Sequence, residues 1–482
     1  MVDVSQNESQ PASQLYDLVI VGSGSAAYST AISAADSGRR IVMIERGEVG
    51  GTCVNIGCIP SKALLATSHV IKSAMSNRIG GVESHVDKID IHTIVREKDN
   101  LVALLRKEKY EDVREYYGFD LMRGDASFIS KDVVLVNGKE IQGRKIVIAT
   151  GSLPHVPFIP GLESIDYLTS TTAMEIETVP ETVLILGGGA IGLEFSQLYS
   201  ALGSKVIVVE ALDRIAFAEE PELSDALEKI LREDGITVLT STNLKAVSAV
   251  KNPNGETSIL HVLEKNGEEF KITTQAILVA TGRVPNTKKL NLEAAGVTVG
   301  LKGEILVDNE LRASNPDVFA AGDVTGHPQF VCVAGRHGSI IADNAFENEH
   351  REVDYRSLPR VTFTSPEIAS VGMTDADAVK NGISCDCRVV SLNQLPRAIV
   401  NRDTRGVAKI VIDSETRKVL GIHLLADGAS DAILAGVYAI EANFTVDDLA
   451  NMWAPYLTTA EVIKLAAQSF TKDLAHLSCC AI

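Results

Sequence analysis

Basic charge is scarce in this chain and long apolar runs are missing. Lys and Arg number 45 against 63 Asp and Glu over 482 residues, a formal net charge of -18. That balance argues against nucleic acid and anionic membrane as partners, since both reward basic patches. No stretch approaches the roughly 18 uninterrupted apolar residues of a membrane span, so no transmembrane helix is expected. Residues 1–14 have neither a basic start nor an apolar segment, and read as a disordered tail rather than a signal peptide. Cysteine is sparse too: the seven present are an odd count without disulfide-scaffold spacing. A reducing compartment, the cytoplasm, is expected, where paired cysteines are usually catalytic or metal-binding.

What is there is the composition of a globular enzyme, 45% hydrophobic and 22% charged, in a chain too long for one core. Two cysteine pairs stand out. Cys53 and Cys58 lie in Gly51-Thr52-Cys53-Val54-Asn55-Ile56-Gly57-Cys58-Ile59-Pro60-Ser61-Lys62, and Cys479-Cys480 are adjacent near the end. The first pair can store and pass two electrons. Neighbouring Cα atoms are about 3.8 Å apart, whereas ordinary disulfides want roughly 4.4–6.8 Å. The second pair therefore closes only with strain, stays a dithiol, and is well shaped to seize a soft metal ion. A lasting dithiol beside a redox-active disulfide suggests reduction of a thiophilic metal.

A strand–turn–helix–strand pattern occurs twice. Tyr16–Val21, Gly22-Ser23-Gly24, a helix over 26–37 and Ile41–Ile44 form the first copy; Val183–Leu186, Gly187–Gly189, a helix over 190–202 and Val206–Val209 form the second. The repeat predicts two Rossmann-like dinucleotide-binding domains. Long helical periodicity runs over 61–75 and 91–117, and Asn252-Pro253-Asn254-Gly255 marks a hairpin. Strands at 388–392, 407–412 and 418–425 followed by helices at 428–442 and 459–470 predict a C-terminal α+β domain. The expected fold class is α/β with that third domain appended. The expected division is 15–170 for the first domain, 171–295 for the second, 296–354 returning to the first, 355–470 for the third and 471–482 for a tail.

Each repeat carries a nucleotide fingerprint. Gly22-x-Gly24-x-x-Ala27 is followed by Glu45, and Gly187-x-Gly189-x-x-Gly192 by Glu210. The first glycine permits the turn, the second admits a pyrophosphate, and the third small residue packs helix on strand. The helix N-terminus faces the phosphates, and the carboxylate can accept hydrogen bonds from a ribose. Glu210 suits a free 2′-hydroxyl and repels a 2′-phosphate, with Arg214 the nearest base that could offset it, so NADH or use of both NADH and NADPH is expected. The redox cysteines follow the first unit directly, which argues for FAD there. Cys58 precedes a helix start and Lys62, both of which favour its thiolate; Cys53 would be the more exposed, exchanging sulfur. Glu194 could pair with a lysine near the flavin.

With GTCVNIGCIPSK at 51–62, ATG at 149–151, ATGRVPN at 280–286 and AAGD at 320–323, residues 16–482 resemble the pyridine nucleotide–disulfide oxidoreductase family. The resemblance implies a homodimer with FAD, NAD(P)H and interface domains. It implies FAD contacts at Gly51, Thr52, Lys62 and Gly151, Asp323 on the ribityl chain, Lys62 and Glu194 near the reactive nitrogen, and Gly282 on the nicotinamide side.

Members that reduce small disulfides carry a His-Pro-Thr-x-x-Glu pattern near the C-terminus. Here Tyr456 stands in place of the histidine and Glu461 keeps its position. A phenol with a pKa near 10 shuttles protons poorly at neutral pH. Reducing a bound cation needs soft ligands rather than that proton. With Tyr456 and the Cys479-Cys480 tail, the chain is similar to the mercury(II)-reducing members of the family. That resemblance implies transfer of mercury(II) from small thiols to Cys479 and Cys480, then to Cys53 and Cys58 of the other subunit, with Tyr456 and Tyr110 beside the metal. The alternatives are a dihydrolipoamide dehydrogenase-like reductase and a flavoprotein that sequesters mercury without reducing it. Cys332 reads as a buried core cysteine; Cys385 and Cys387 alternate at a possible strand end and have no assigned role.

Overall fold

The computed structural model describes residues 14–35, 38–251, 255, 257–347 and 349–477. Of the tail expected over 1–14, residues 1–13 lie outside the described residues, as do most of the Asn252–Gly255 turn and the Cys479-Cys480 pair; Gln14 instead begins the first strand. The chain divides into two compact units, one of residues 1–59, 99–153 and 283–353, the other of 60–98, 154–282 and 354–482.

The first unit is built on a seven-stranded sheet. Gln14–Val21 lies parallel to Ile41–Glu45 on one side and Lys139–Ile148 on the other. Asp120–Arg123 and Val318–Ala320 extend the parallel part, and Ala126–Phe128 and Val133–Val136 add an antiparallel meander. The C-terminal half of the central strand, Leu18–Val21, is apolar, with Leu18, Val19 and Ile20 at 0% exposure, the pattern of a strand covered on both faces. The helix Ser25–Ala35 covers one face with small residues, burying Ala26, Ala27, Ala31 and Ala34. It lies against the helix Val331–Phe346, where the Ser29 hydroxyl donates to the Gly335 carbonyl at 2.6 Å.

The second unit contains the repeat. Its parallel sheet runs Thr237–Leu239, Lys205–Val209, Thr182–Leu186, Ala276–Val279, Leu168–Thr169, followed by the helix Ala190–Ala201. An antiparallel meander of Thr242–Lys251, Thr257–Lys265 and Glu268–Thr274 adjoins it in sequence. The C-terminal part is a five-stranded antiparallel sheet, ordered Pro359–Thr362, Glu367–Gly372, Val419–Ala426, Val407–Asp413, Cys385–Ser391. The fold is the expected α/β class, with two Rossmann-like modules and a C-terminal α+β domain.

Local expectations shift in four places. The long helix over 91–117 is interrupted: Ile91–Arg106 passes through a π-helical turn, Lys107–Glu111, into Asp112–Tyr117. The helix expected at 428–442 is two pieces, Ala429–Ala432 and Leu434–Glu441. A short helix, Gly51–Ile56, carries Cys53, and the next begins at Cys58 rather than Ser61. The strand expected at 388–392 starts earlier, at Cys385, and Cys385 and Cys387 alternate at its beginning.

Candidate active site

The first glycine loop is shaped by one close approach. Gly22 has φ +113°, and a Cβ there would fall 2.3 Å from the Ala149 carbonyl oxygen. Ala149 begins the Ala149-Thr150-Gly151 segment, so the loop and that segment are locked edge to edge. Ala27, at 0% exposure, closes the helix onto the sheet. A Cβ on Gly51 would lie 2.7 Å from the Gly24 Cα, and the Gly50 amide donates to the Ser23 carbonyl at 3.0 Å. The dithiol segment thus walls the loop. The Glu45 carboxylate accepts from the Ser23 hydroxyl and the Gly47 amide, both at 2.7 Å, which holds it at the end of its strand.

Asp323 follows the strand Val318–Ala320 in a 3-10 turn. It accepts from the Ser152 hydroxyl at 2.6 Å, and Arg283 donates to that same hydroxyl at 2.7 Å and to the Ser152 carbonyl at 2.8 Å. Burial pulls the Arg283 guanidinium below its ordinary pKa, while Asp323 and Cys58 act the other way by their charge. Gly151 is tied in by its carbonyl, which accepts from the Asn286 amide at 3.0 Å. Sequence reasoning named Gly151, Gly282 and Asp323 but passed over Ser152 and Arg283; the Arg of ATGRVPN was the available signal. A glycine cradle without side chains, a fixed carboxylate one strand away and a buried arginine–serine–aspartate chain fit a dinucleotide such as FAD.

Cys53 is half-buried and Cys58 exposed, the reverse of the expected order. Cys53 lies within the Gly51–Ile56 helix that abuts the loop, while Cys58 is the first residue of its helix and projects from its end. Tyr110 occupies the π-helical turn. Its ring packs edge-on to Tyr28 at 4.9 Å between centroids, and a Cβ on Gly50 would touch it at 3.2 Å. Burial is the main cause of its raised phenol pKa; a hydrogen bond with Ser25 lowers it, and the charges of Cys53 and Cys58 raise it further. Tyr110 is therefore a neutral phenol within electrostatic reach of both sulfurs. A π turn costs regular hydrogen bonding and often marks a functional position. Cys332, expected in the core, is exposed in the first turn of the helix Val331–Phe346.

The second unit repeats the cradle. Gly187 has φ +114°, and its Cβ would fall 2.4 Å from the Ala280 carbonyl oxygen of Ala280-Thr281-Gly282. The Gly282 carbonyl accepts from the His155 amide at 2.9 Å. A Cβ on Gly192 would meet the Gly187 carbonyl at 2.0 Å, whereas one on Gly189 would meet nothing within 4 Å. Glu210 accepts from the Gly188 amide at 2.7 Å and the Leu212 amide at 2.8 Å. Arg214 stacks on Phe217 at 4.3 Å and donates to the Phe217 carbonyl at 2.8 Å. The open space at Gly189, beside the first turn of an α-helix, fits a second dinucleotide.

Glu194 is buried, accepting from Lys62 at 2.7 Å and from the Phe363 amide at 2.9 Å. Lys62 also stands 4.7 Å over the Phe363 ring. Near the end of the described chain, Glu461 is 2% exposed and accepts from the Leu457 amide at 3.3 Å; burial pushes its carboxyl above the usual range. It braces a loop on which Trp453 is fully exposed and Tyr456 half-exposed.

Two nucleotide cradles and a cysteine pair at a helix start define a nucleotide-dependent dithiol oxidoreductase. The chain belongs to the pyridine nucleotide-disulphide oxidoreductase family, whose model matches residues 16–338, with that family's dimerisation domain matching 358–467. It is 48% identical to a mercuric reductase of Streptomyces lividans, over 97% of this chain and 98% of the relative. A mercuric reductase of Staphylococcus aureus is 43% identical over 99% of this chain and 88% of its own. The HOCl-induced flavoprotein disulfide reductase RclA from Escherichia coli superposes with a TM-score of 0.84 at 29% identity, covering 95% of this chain and all of the other. Among the described residues no helix is long and apolar enough to cross a membrane.

Proposed function

We propose that this protein reduces mercury(II) to elemental mercury with electrons from NAD(P)H, as a detoxifying enzyme of the cytoplasm. Its cofactors are FAD and NAD(P)H: the Gly22 loop, Glu45 and Asp323 would hold FAD, which would supply two-electron transfer between the nicotinamide and the metal. The observation that carries the reading is the setting of the dithiol. Cys53 sits within one short helix and Cys58 at the start of the next, with the neutral phenol of Tyr110 in electrostatic reach of both, and the small-disulfide reductases' histidine is replaced by Tyr456. The likeness to mercuric reductases over nearly the whole chain supports it.

The chain's own residues supply the sulfur chemistry. Cys479 and Cys480 take mercury(II) from small thiols, each protein sulfur displacing one incoming thiolate, and Cys53 and Cys58 displace the tail sulfurs in turn. The enzyme works as a homodimer in which the tail and the Tyr456 loop of one copy serve the dithiol of the other. The amide dipoles at the start of the helix Cys58–Met75 favour the thiolate of Cys58. Tyr110 and Tyr456 flank the ion as phenols and move no proton. Lys62, held by Glu194, keeps a positive charge at the flavin, and Glu461 is a positioning residue that fixes the Tyr456 loop.

The test is mercury vapour released by FAD-loaded enzyme given NADH or NADPH and mercury(II) in excess thiol. Turnover is expected, with little or none on lipoamide; turnover on lipoamide alone would make it a dihydrolipoamide dehydrogenase-like reductase, and tight binding without vapour a sequestering flavoprotein. Changing Cys479 and Cys480 to Ala should cut turnover at high thiol by about 10²-fold, the effective-concentration advantage of a tethered dithiol, while flavin reduction by NAD(P)H stays intact. Undiminished turnover would remove the tail from the mechanism.

A further inference from the structure

Cys385 and Cys387 are left without work by this mechanism, yet the structure sets them as a pair. They occupy alternate positions of the strand Cys385–Ser391, opposite Asp413 and Val411. Alternation places both sulfurs on one face. Two observations agree: the Cys385 thiol donates to the Asp375 carbonyl at 3.9 Å, and Cys387 lies within charge range of both Asp375 and Cys385. Both cysteines are half-buried, on a strand that ends the sheet.

The spacing decides what such a pair can hold. Residues two apart on a strand are separated by about 6.6 Å. A disulfide wants Cβ atoms roughly 3.5–4.5 Å apart, so this pair cannot close without breaking the ladder to Val407–Asp413. Two metal–thiolate bonds in line span about 4.6 Å, at ~2.3 Å each, which side chains leaning together from that separation can reach. The carboxylates on this face are already committed. Lys409, fully buried, donates to Glu220 at 2.9 Å, to Glu222 at 2.9 and 3.0 Å and to Asp375 at 2.8 Å. Among the described residues no group of three or more ligating side chains is assembled. A hard or four-coordinate ion has no site here; a soft ion content with two sulfurs does.

We propose that Cys385 and Cys387 form a second mercury(II)-binding dithiol that holds the ion without reducing it. The choice of ion rests on the proposed function; the pairing of the sulfurs does not. Binding is ligand exchange: two protein–mercury bonds form, the two bonds to small thiolates break, and the two cysteine protons leave on the departing thiols. No electrons move.

The experiment is mercuric chloride titrated into FAD-loaded full-length enzyme in the absence of NAD(P)H, with mercury per subunit counted after gel filtration. Cys385→Ser/Cys387→Ser should retain one mercury per subunit fewer than the unchanged protein, with the same mercury-reduction rate. Either single variant should lose the same ion. Equal retention, or retention by a single variant, would overturn the proposal. Should the double variant not fold, alkylation of the unchanged protein decides: mercury(II) is expected to protect both cysteines together, and independent or absent protection overturns the pairing. Failure to release mercury vapour would sink the proposed reaction and leave this count untouched.

Discussion

The two glycine loops share a sequence pattern and a backbone, and differ in what surrounds them. Gly22 and Gly187 have φ of +113° and +114°, and a Cβ on either would fall 2.3 or 2.4 Å from the equivalent carbonyl oxygens of Ala149 and Ala280. Glu45 and Glu210 are each pinned at the strand end by two hydrogen bonds. Beyond that the first loop is walled by Gly50 and Gly51 of the dithiol segment, while around Gly189 of the second there is open space. One fold thus provides an enclosed cradle, suited to a cofactor that stays, and an open one, suited to a nucleotide that comes and goes. The third fingerprint position differs as well: Ala27 is tolerated in the first, but Gly192 lies so close to the Gly187 carbonyl that a methyl group would overlap it.

The sharpest way to break the comparison is to spoil each turn alone. Gly22→Ala forces a Cβ onto Ala149 with φ positive, a cost of ~1–3 kcal/mol or more, and should yield protein with flavin absorbance lowered about tenfold or beyond. Gly187→Ala should keep its flavin and lose flavin reduction by NAD(P)H in stopped flow. If both variants lose flavin equally, the loops are not independent.

A gentler probe uses the walls. Gly51→Ala should lower flavin content, because its methyl group meets Gly24. Gly189→Ala should leave Tm and flavin content unchanged, as no protein atom stands in the way, yet raise KM for NAD(P)H by roughly tenfold. Unchanged KM would mean that no phosphate passes there.

The smallest effect concerns the carboxylates. Glu210→Gln should raise the ratio of kcat/KM for NADPH over NADH by a few-fold to about tenfold, since the repulsion of a 2′-phosphate goes while the amide oxygen can still accept from Gly188 or Leu212. A ratio that does not move would place the nucleotide's ribose elsewhere.

Much of this was legible in the sequence because it depends on short-range geometry. The glycine spacing, the apolar strands and the acidic residue about 20 positions on are local consequences of one strand–turn–helix, and they recur in both modules. The lysine partner open to Glu194 in the sequence is Lys62, 132 positions away. Other features had no local signature. The π-helical turn at Lys107–Glu111 inserts Tyr110 against Tyr28 and Gly50, and the helical periodicity around it reads as continuous. Ser152, Arg283 and Asp323 are joined across a sheet by hydrogen bonds that no spacing encodes. The relative exposure of Cys53 and Cys58 is not written in the sequence, because it depends on how the Gly51–Ile56 helix packs against Gly24.

The sequence by itself determined the two nucleotide modules, the redox pair and the missing histidine at Tyr456, since each is written in contiguous residues whose conformations follow from backbone sterics. Only the tertiary structure decided which cradle is walled and which is open, and that the carboxylates near Cys385 and Cys387 are taken by Lys409. Those depend on which surfaces are pressed together to bury apolar area, and that is settled by packing over the whole chain rather than by any one segment.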